Sequence, residues 1–347
     1  MTVPTTPSTA SPIPVTSPAP RGWFRLLVAM VLALSIPVIA QLRLVVPVEQ
    51  TILFLGPAMA ACGLVAWWLG GRLLMFVAWG GLAVWMLSMS PPSAPSFDPL
   101  SRGWVLLVGA AFGVVSWMDP RRTFFPRALA ATAIAYAVSL GILAVGSAEV
   151  QDVGRSVSDE FARRLAQVSD QYETRARTPE WRSFVERFPG AADVVEQGEA
   201  QLPTIARTSI GIFPALLGLQ SLAMLALAYA VFHRSSRTRI GPLLRPLAEF
   251  RFSDQLIWGV VLGVTLLVLP RLGEAKGIGL NLVVFFGALY ALRGLGVLSW
   301  FLAPGRPTPV LLVVAACLAG PVVGIFSLGL GLADTWIDWR GRLRPAG

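Results

Sequence analysis

The chain has 347 residues, of which 55% are hydrophobic and 14% are charged, whereas soluble globular domains carry about 25% charged residues. So little charge cannot cover a water-soluble surface, and the composition predicts apolar surface that faces lipid. The net charge of +9 does not predict nucleic-acid binding, because most cations lie in short loops beside apolar runs, where they orient membrane spans.

The first twenty residues differ from the rest of the chain. Residues 1–20 are rich in Pro, Ser and Thr and contain no charged side chain. Such a composition cannot bury a core, so we expect a disordered tail here.

Nine apolar runs follow, and they predict an all-α, polytopic membrane bundle with eight or nine transmembrane helices. The runs cover residues 23–40, 51–70, 73–90, 103–118, 124–145, 208–232, 256–270, 277–303 and 309–335. A helix needs about 20 residues to cross the bilayer, so 103–118 and 256–270 are short for a full crossing unless flanking residues contribute. The predicted division is a tail at 1–20, N-terminal spans at 21–146, an acidic extramembrane segment at 147–206, C-terminal spans at 207–340 and a tail at 341–347.

The basic residues of the short loops predict which end of each helix faces the cytoplasm. With the N-terminus inside, the inner loops carry twelve arginines and the outer loops four cations, so the acidic 147–206 segment lies outside. Nine full crossings would then place the arginines of 340–344 outside, against the rule. Either one span re-enters the membrane, with the 103–118 run and a Gly320–Pro321 break in the last span as candidates, or the tail departs from the rule.

The acidic segment predicts two short amphipathic helices. Apolar residues recur there at spacings of four, four, three and four, which indicates one apolar helical face: Val157, Phe161, Leu165, Val168 and Tyr172. Ser158 is the predicted N-cap of the first helix, and Thr178–Pro179 opens the second, which Pro189–Gly190 ends. We expect both helices to lie on the membrane surface or on neighbouring loops; a lid over a central cavity is the alternative.

Polar residues inside apolar spans are the candidate ligand-binding residues, because a charge at the centre of a span costs about 2.5–3.5 kcal/mol on insertion scales. Arg293 lies near the middle of the 277–303 run and should face the bundle interior, either as a contact to a ligand or ion or as a structural tie between helices. Asn281 and Tyr290 lie in the same run, and Asp334 lies in the last one. These four residues form the predicted site.

The end of the last span carries a second pattern. Asp334 and Asp338 are four residues apart, which places both carboxylates on one helix face, while Trp336 and Trp339 share another face. With arginines close behind, the tryptophans predict an anchor at the membrane interface. A carboxylate site for a cation or a proton is the alternative.

Nothing in the sequence predicts an enzyme, a catalytic residue, a cofactor or a metal centre. No nucleotide-binding, zinc-protease or hydrolase motif is present. Cys62 and Cys317 lie in apolar runs, where a thiol acts as a small hydrophobe. A single histidine, His233, argues against a zinc site or a histidine-dependent triad.

The last hundred residues carry a family pattern. Its parts are Trp258 in a short span, the run from Asn281 through Tyr290 to Gly294, and the closing Gly331-Leu332-x-Asp334-x-x-x-Asp338-x-Arg340. This pattern resembles the YybS-like family of uncharacterised bacterial integral membrane proteins. The resemblance implies a multi-pass protein of the bacterial cytoplasmic membrane, with a distant likeness to the substrate-binding components of vitamin-type transporters, which bind a small molecule in a helical bundle.

Two functional hypotheses follow. The first is a transport-type or small-molecule-binding membrane component, based on the polar residues within the spans. The second is a non-catalytic scaffold whose protein partners dock on the basic 233–254 loop or on the acidic 147–206 segment, which have opposite charges. Both place the chain in contact with the lipid bilayer. A membrane-embedded enzyme is the weakest hypothesis, because no acid/base or nucleophile constellation supports it.

Overall fold

The computed structural model describes residues 23–89, 96–146, 150–188, 190–269, 273, 275–302 and 308–342. Helices dominate, and no strand occurs within these ranges, which confirms the predicted all-α fold class. The tail predicted at 1–20, the Pro189 stop and residues 343–347 of the predicted C-terminal tail lie outside the described residues.

The helices follow one another along the chain with few long connections. They are α1 Trp23–Ser35, α2 Ala40–Arg43, α3 Ile52–Trp68, α4 Leu73–Ser88, α5 Phe97–Met118, α6 Phe124–Val145, α7 Val150–Ala176, α8 Pro179–Arg187, α9 Gly190–Gly211, α10 Phe213–Ser235, α11 Ile257–Val268, α12 Ala275–Phe301, α13 Thr308–Ile337 and α14 Trp339–Arg342. The core of the bundle lies between α3, α5, α6 and α10.

Each of the nine predicted apolar runs contains a helix. By length and composition, α5, α6, α10 and α12 can cross a membrane, and α1, α3, α4, α11 and the second half of α13 are shorter apolar helices. The 103–118 run becomes long enough for a full crossing through flanking residues, as the prediction allows, because α5 begins at Phe97 and has 22 residues. Its polar first turn is stabilised by Arg102, which donates to the Asp98 carboxylate at 2.7 Å and to the Leu87 carbonyl of α4 at 2.8 Å.

The last span also differs from its prediction. α13 passes through Gly320–Pro321 without interruption, so the predicted break is wrong. The helix ends at Ile337 instead, because Asp338 has a left-handed backbone conformation with φ 45°, which stops a right-handed helix. Asp334 and Asp338 therefore do not share a helix face.

α12 and α13 cross each other at glycines. A Cβ atom at Gly294 would lie against the carbonyl oxygen of Ser327, and one at Gly331 would lie against the carbonyl oxygen of Tyr290. Only residues without a side chain allow two helix backbones to approach so closely. The crossing brings the polar residues of the two helices together.

We expect Gly294→Ala to lower the free energy of unfolding by about 1–3 kcal/mol, the usual cost of overpacking. Gly287→Ala is the matched control, because a Cβ at this position of α12 would meet no atom within 4 Å. Thermal unfolding of both variants in the same detergent measures the difference. Equal melting temperatures for the two variants would contradict the close approach of α12 and α13 at Gly294.

The loops that the structure describes collect at two ends of the bundle. One end, the arginine end, comprises the 119–123 turn, the 236–256 loop and residues 338–342. There a Cβ at Gly241 would lie 2.9 Å from the Pro120 carbonyl oxygen, and Arg340 donates to the Ala248 carbonyl at 2.9 Å. The opposite end carries the loop between α2 and α3 and is covered by α7, α8 and α9, the helical cap.

The arginine end includes the C-terminal residues. Arg340 also donates to the Phe250 carbonyl at 3.1 Å, so it lies with the basic 236–256 loop, as the positive-inside rule requires. α12 ends there as well, because the ring of its last residue, Phe301, lies near that of Trp339, with 6.4 Å between the centroids. α12 and α13 therefore both end at this side of the bundle. Nine crossings that strictly alternate in direction are excluded, because the last helix does not reverse the direction of α12.

The helical cap has three helices where two short ones are predicted. α7 alone has 27 residues, and the N-cap predicted at Ser158 is wrong, because this serine lies inside α7 and donates to the Gly154 carbonyl at 2.9 Å. Thr178 does cap α8, as predicted, by accepting a hydrogen bond from the Trp181 amide at 3.3 Å. α9 continues to Gly211, beyond the predicted start of the next span.

The predicted apolar face of α7 is confirmed. Phe161 packs against Phe97 at the start of α5, and Val168 packs against Leu44 and against Leu202 of α9. The face is buried on the bundle and on the loop beside it, which is one of the two expected placements. The cap is therefore attached to the bundle through a small apolar core of its own.

A charged group also holds the cap. Glu160 lies between two arginines, with its Oε1 atom 2.7 Å from Arg164 Nε and 2.7 Å from Arg163 Nη2. Burial acts to raise the pKa of Glu160, but the hydrogen bonds and charges of both arginines outweigh it and hold this pKa below its ordinary value of 4.5. The ionised form is therefore the one that the folded cap stabilises.

This lowered pKa predicts how the cap responds to acid. The contribution of Glu160 is complete above its ordinary pKa of 4.5 and is lost as the pH falls through the lower pKa of the folded state. We expect the protection factors of the α7 amides, which are exchange rates corrected for the intrinsic pH dependence of exchange, to stay constant from pH 7 to pH 5 and to fall at more acidic pH. Glu160→Gln should remove this step, while Glu173→Gln, at an exposed carboxylate, should keep it. A step that persists in Glu160→Gln would contradict the assignment.

Candidate ligand-binding site

Arg293 and Asp334 meet in a buried ionic cluster at the arginine end. Arg293 Nε donates to Asp334 Oδ2 at 2.9 Å, and Nη1 donates to Asp254 Oδ1 at 2.7 Å. Arg340 Nη2 donates to the same Asp334 oxygen at 2.8 Å. The side chains of Asp334 and Arg293 are 0% and 4% exposed, and the two arginines and two aspartates neutralise one another, as buried charges must.

Tyr290 lies one helical turn before Arg293. It is fully buried, and its ring meets Phe252 edge-on with 5.0 Å between the centroids. The Arg293 guanidinium lies over the same Phe252 ring at 5.4 Å, a cation–π contact. Three of the four predicted site residues therefore gather around one short stretch of the 236–256 loop.

Asn281, the fourth predicted residue, lies elsewhere. It precedes Arg293 by twelve residues, about 18 Å along the helix. Its Oδ1 atom accepts from the Ala215 amide, and its Nδ2 atom donates to the Gly211 and Gly277 carbonyls, each at 2.9 Å. Asn281 thus joins α12 to the junction of α9 and α10, and it does not belong to the ionic cluster.

The aromatic pattern at the end of α13 is only partly as expected. Trp336 is 69% exposed, which fits an anchor at the membrane interface, whereas Trp339 packs against Phe301. The prediction that both tryptophans share a face is wrong, because the backbone turns at Asp338 between them. Asp338 itself forms a half-exposed ion pair with Arg251.

A cavity of about 1190 Å³ lies between α1 and α10. Its walls are mainly apolar, with Leu26 and Ala33 on α1 and Ala223 and Leu227 on α10. The polar side chains on its walls concentrate at the arginine end: Tyr229, His233, Arg234 and Arg245. The lining described contains no residue of the helical cap, which gives no support to the alternative of a lid.

A buried cation lies behind the polar end of the cavity. Arg127 of α6 is 0% exposed, and its Nη2 atom donates to the Tyr229 hydroxyl at 2.8 Å and to the Ile240 carbonyl at 3.2 Å. Among the described residues it takes part in no ion pair, and its Nε and Nη1 atoms have no hydrogen-bond partner. This end of the cavity therefore carries a buried positive charge that forms no direct ion pair within the described part of the chain.

His233 completes the polar end. The centroids of the His233 and Tyr229 rings are 4.3 Å apart, and His233 is 3% exposed. Neither ring nitrogen has a partner of normal hydrogen-bond geometry within the described part of the chain. Buried polar atoms without partners are uncommon, and here they lie in the wall of a cavity that could supply one.

Sequence reasoning missed this group of residues. Arg127 resembles an ordinary loop arginine, because it follows a short turn at the start of an apolar run. Tyr229 and His233 offer the signal that was available, since residues four apart lie on one helix face. Their pairing with Arg127 depends on the packing of α6 against α10, which the sequence pattern does not contain.

The fold, the apolar helices and the buried charges together define a multi-pass helical membrane protein. A family model described as predicted membrane protein (DUF2232) matches residues 104–335, and the chain belongs to this family. The match agrees with the resemblance of the C-terminal part and includes Arg293, Asp334 and all of α10. No curated protein and no solved structure matches the chain.

Proposed function

We propose that this protein is a non-catalytic membrane component of transport type, which binds a small molecule in the cavity between α1 and α10. The observation that carries the proposal is the cavity itself, which has mainly apolar walls and all its titratable lining groups at one end. Ligand sites in proteins have this character and volumes of roughly 300–1,000 Å³. The size and the lining of the cavity support a ligand of metabolite size or larger.

The ionic cluster around Arg293 supports a different role. Each of its buried charges already has an opposite charge at hydrogen-bond distance, and Arg340 also binds two main-chain carbonyls. Such a network ties α12, α13 and the 236–256 loop together. We therefore propose that Arg293 and Asp334 hold the arginine end in shape, and that the ligand lies at the neighbouring cavity.

The proposal also holds that the chain is not an enzyme. In the described residues, no group of three or more His, Cys, Asp or Glu side chains is placed to hold a metal ion. The cavity lining contains one histidine and no carboxylate, so it offers no acid and base pair for proton transfer. Binding, rather than chemistry, is what these side chains support.

Blocking the cavity tests this function. Ala223→Phe adds a ring to the α10 wall, whereas Ala137→Phe adds the same ring to an exposed position of α6 outside the cavity. A panel of vitamins, metabolites and lipids is screened by thermal shift on the purified protein. We expect at least one compound to raise the melting temperature of the wild type and of Ala137→Phe but not that of Ala223→Phe. No stabilising compound, or equal stabilisation of both variants, would overturn the proposal.

A scaffold is the second candidate function, and one observation favours it. Phe184 on α8 and Phe188 directly after this helix are 45% and 52% exposed and lie beside each other, and an exposed aromatic patch can dock a partner. Crosslinking in membranes should then capture a protein through α8 in the wild type but not in a Phe184→Ser, Phe188→Ser variant. Identical crosslinks in the two proteins would count against a scaffold.

A further inference from the structure

The cavity is a groove that extends nearly through the bilayer. On α10 its lining runs from Leu216 to Arg234, a rise of about 27 Å at 1.5 Å per residue. The hydrocarbon core of a membrane is about 30 Å thick. α1 forms the facing wall with apolar side chains, so most of the groove suits a hydrocarbon chain.

Charge distinguishes the two ends of this groove. At the arginine end, Arg234 and Arg245 line it and no Asp or Glu does. Arg234 donates to the Ala230 carbonyl of its own helix at 3.0 Å, and neither arginine belongs to an ion pair among the residues described. Such a pair of uncompensated cations at the mouth of an apolar groove fits an anionic headgroup.

The other end of the groove lacks this charge. Gln220 lines it, but its amide is engaged by the Val48 backbone, accepting from the nitrogen at 3.0 Å and donating to the oxygen at 2.7 Å. Arg43, the cation at the end of α2, is paired with Glu49 of the α2–α3 loop at 2.9 Å. The groove is therefore apolar along its length, neutral at one end and basic at the other. Such a lining is complementary to an amphiphile with an anionic headgroup.

The buried groups behind the basic end give a second, independent indication. His233 is buried in the groove wall, and its contact with the Ile240 backbone does not reach normal hydrogen-bond geometry. The Arg127 charge lies behind Tyr229 and forms no ion pair with any described carboxylate. A buried cation without a counter-charge is costly. A negative group from outside the chain would offset that cost.

We propose that the groove between α1 and α10 binds an anionic phospholipid of the leaflet at the arginine end, which by the positive-inside rule is the cytoplasmic one. The lipid phosphate lies between Arg234 and Arg245, and an acyl chain lies along the apolar walls. This inference rests on the proposed function and names the class of ligand. An apolar transmembrane helix of a partner would fill the apolar length but would leave both arginines without a counter-charge.

The test compares two lipids that share acyl chains and differ in headgroup charge. The full-length protein is placed in nanodiscs or mild detergent with phosphatidylglycerol or phosphatidylcholine, and retained lipid is counted by native mass spectrometry. We expect the wild type to prefer phosphatidylglycerol by at least tenfold. Arg234→Gln with Arg245→Gln should reduce this preference about tenfold or more, since each basic residue near a membrane surface contributes on the order of 1 kcal/mol. Arg237→Gln, in the same loop but outside the groove, should leave it unchanged.

The outcomes separate the inference from the proposed function. Equal retention of the two lipids by the wild type, an equal loss in Arg237→Gln, or undiminished retention in Ala223→Phe would overturn the lipid site. If another compound still stabilised the wild type and Ala137→Phe but not Ala223→Phe, the binding function would stand without the lipid. If nothing bound the groove, both proposals would fail. A crosslinked partner helix along α1 would also overturn the lipid site.

Discussion

Asp334→Asn is expected to lower the free energy of unfolding by about 3–5 kcal/mol, the cost of removing one partner from a buried ion pair. Asp334 accepts hydrogen bonds from both Arg293 and Arg340 through one carboxylate oxygen, and its side chain is fully buried. Without its charge, two guanidinium groups face each other inside the protein. Of the cluster's carboxylates only Asp254 would remain, and its side chain is 61% exposed.

Asp338→Asn is the matched control, four residues along the chain. Asp338 also pairs with an arginine, Arg251, but the two side chains are 52% and 41% exposed. Exposed ion pairs contribute about 0–1 kcal/mol, so this variant should remain close to the wild type. Thermal or chemical unfolding in one detergent measures both. A loss at Asp338 as large as that at Asp334 would contradict the burial of the cluster.

The second large effect is expected at Arg164, which fastens the helical cap to the bundle. Its guanidinium donates to Glu160 at 2.7 Å and to the Val46 and Pro47 carbonyls at 2.8 and 3.0 Å. Arg164→Met keeps an apolar stem but removes these bonds, and the buried Glu160 carboxylate then retains the half-exposed Arg163 and loses its buried arginine partner. We expect a loss of about 3–5 kcal/mol, confined to the cap and the α2–α3 loop.

Hydrogen exchange shows where that loss occurs. In Arg164→Met, amides of α7 and α9 should exchange much faster, while those of α5 and α10 should keep the protection of the wild type. Arg155→Met, at an exposed pair with Asp152 on the same helix, should change neither. Loss of protection throughout the bundle would contradict an attachment that holds only the cap.

Much of the fold could be predicted because apolar runs follow directly from the need to face lipid. The errors have local causes. α5 is longer than its apolar run because Arg102 finds both a carboxylate and carbonyl acceptors at its polar start. Serine is common at helix starts, so Ser158 suggests an N-cap. A serine inside a helix can instead donate to a carbonyl of the preceding turn, as Ser158 does to Gly154. The end of α13 depends on the left-handed backbone of Asp338, and spacing alone could not reveal it.

The candidate site could be predicted only in part, for a similar reason. An arginine within an apolar span must find a partner, so Arg293 and Asp334 stand out from the sequence, and the structure does bring them together. Asn281 stands out equally, yet it bridges the junction of α9 and α10. The groove could not be foreseen, because it exists only where α1 and α10 pack side by side, two helices far apart in the chain.

The arginine end and the helical cap face opposite sides of the membrane, and the leaflet assigned to the lipid phosphate depends on which side each one faces. The direct test is cysteine accessibility in intact cells, on a chain with Cys62 and Cys317 replaced by alanine and single cysteines at Arg177, Arg237 and Arg342. We predict that a membrane-impermeant reagent labels the cysteine at 177 in the helical cap, and labels those at 237 and 342 only after the membrane is permeabilised. Labelling of positions 237 and 342 from opposite sides would contradict the account.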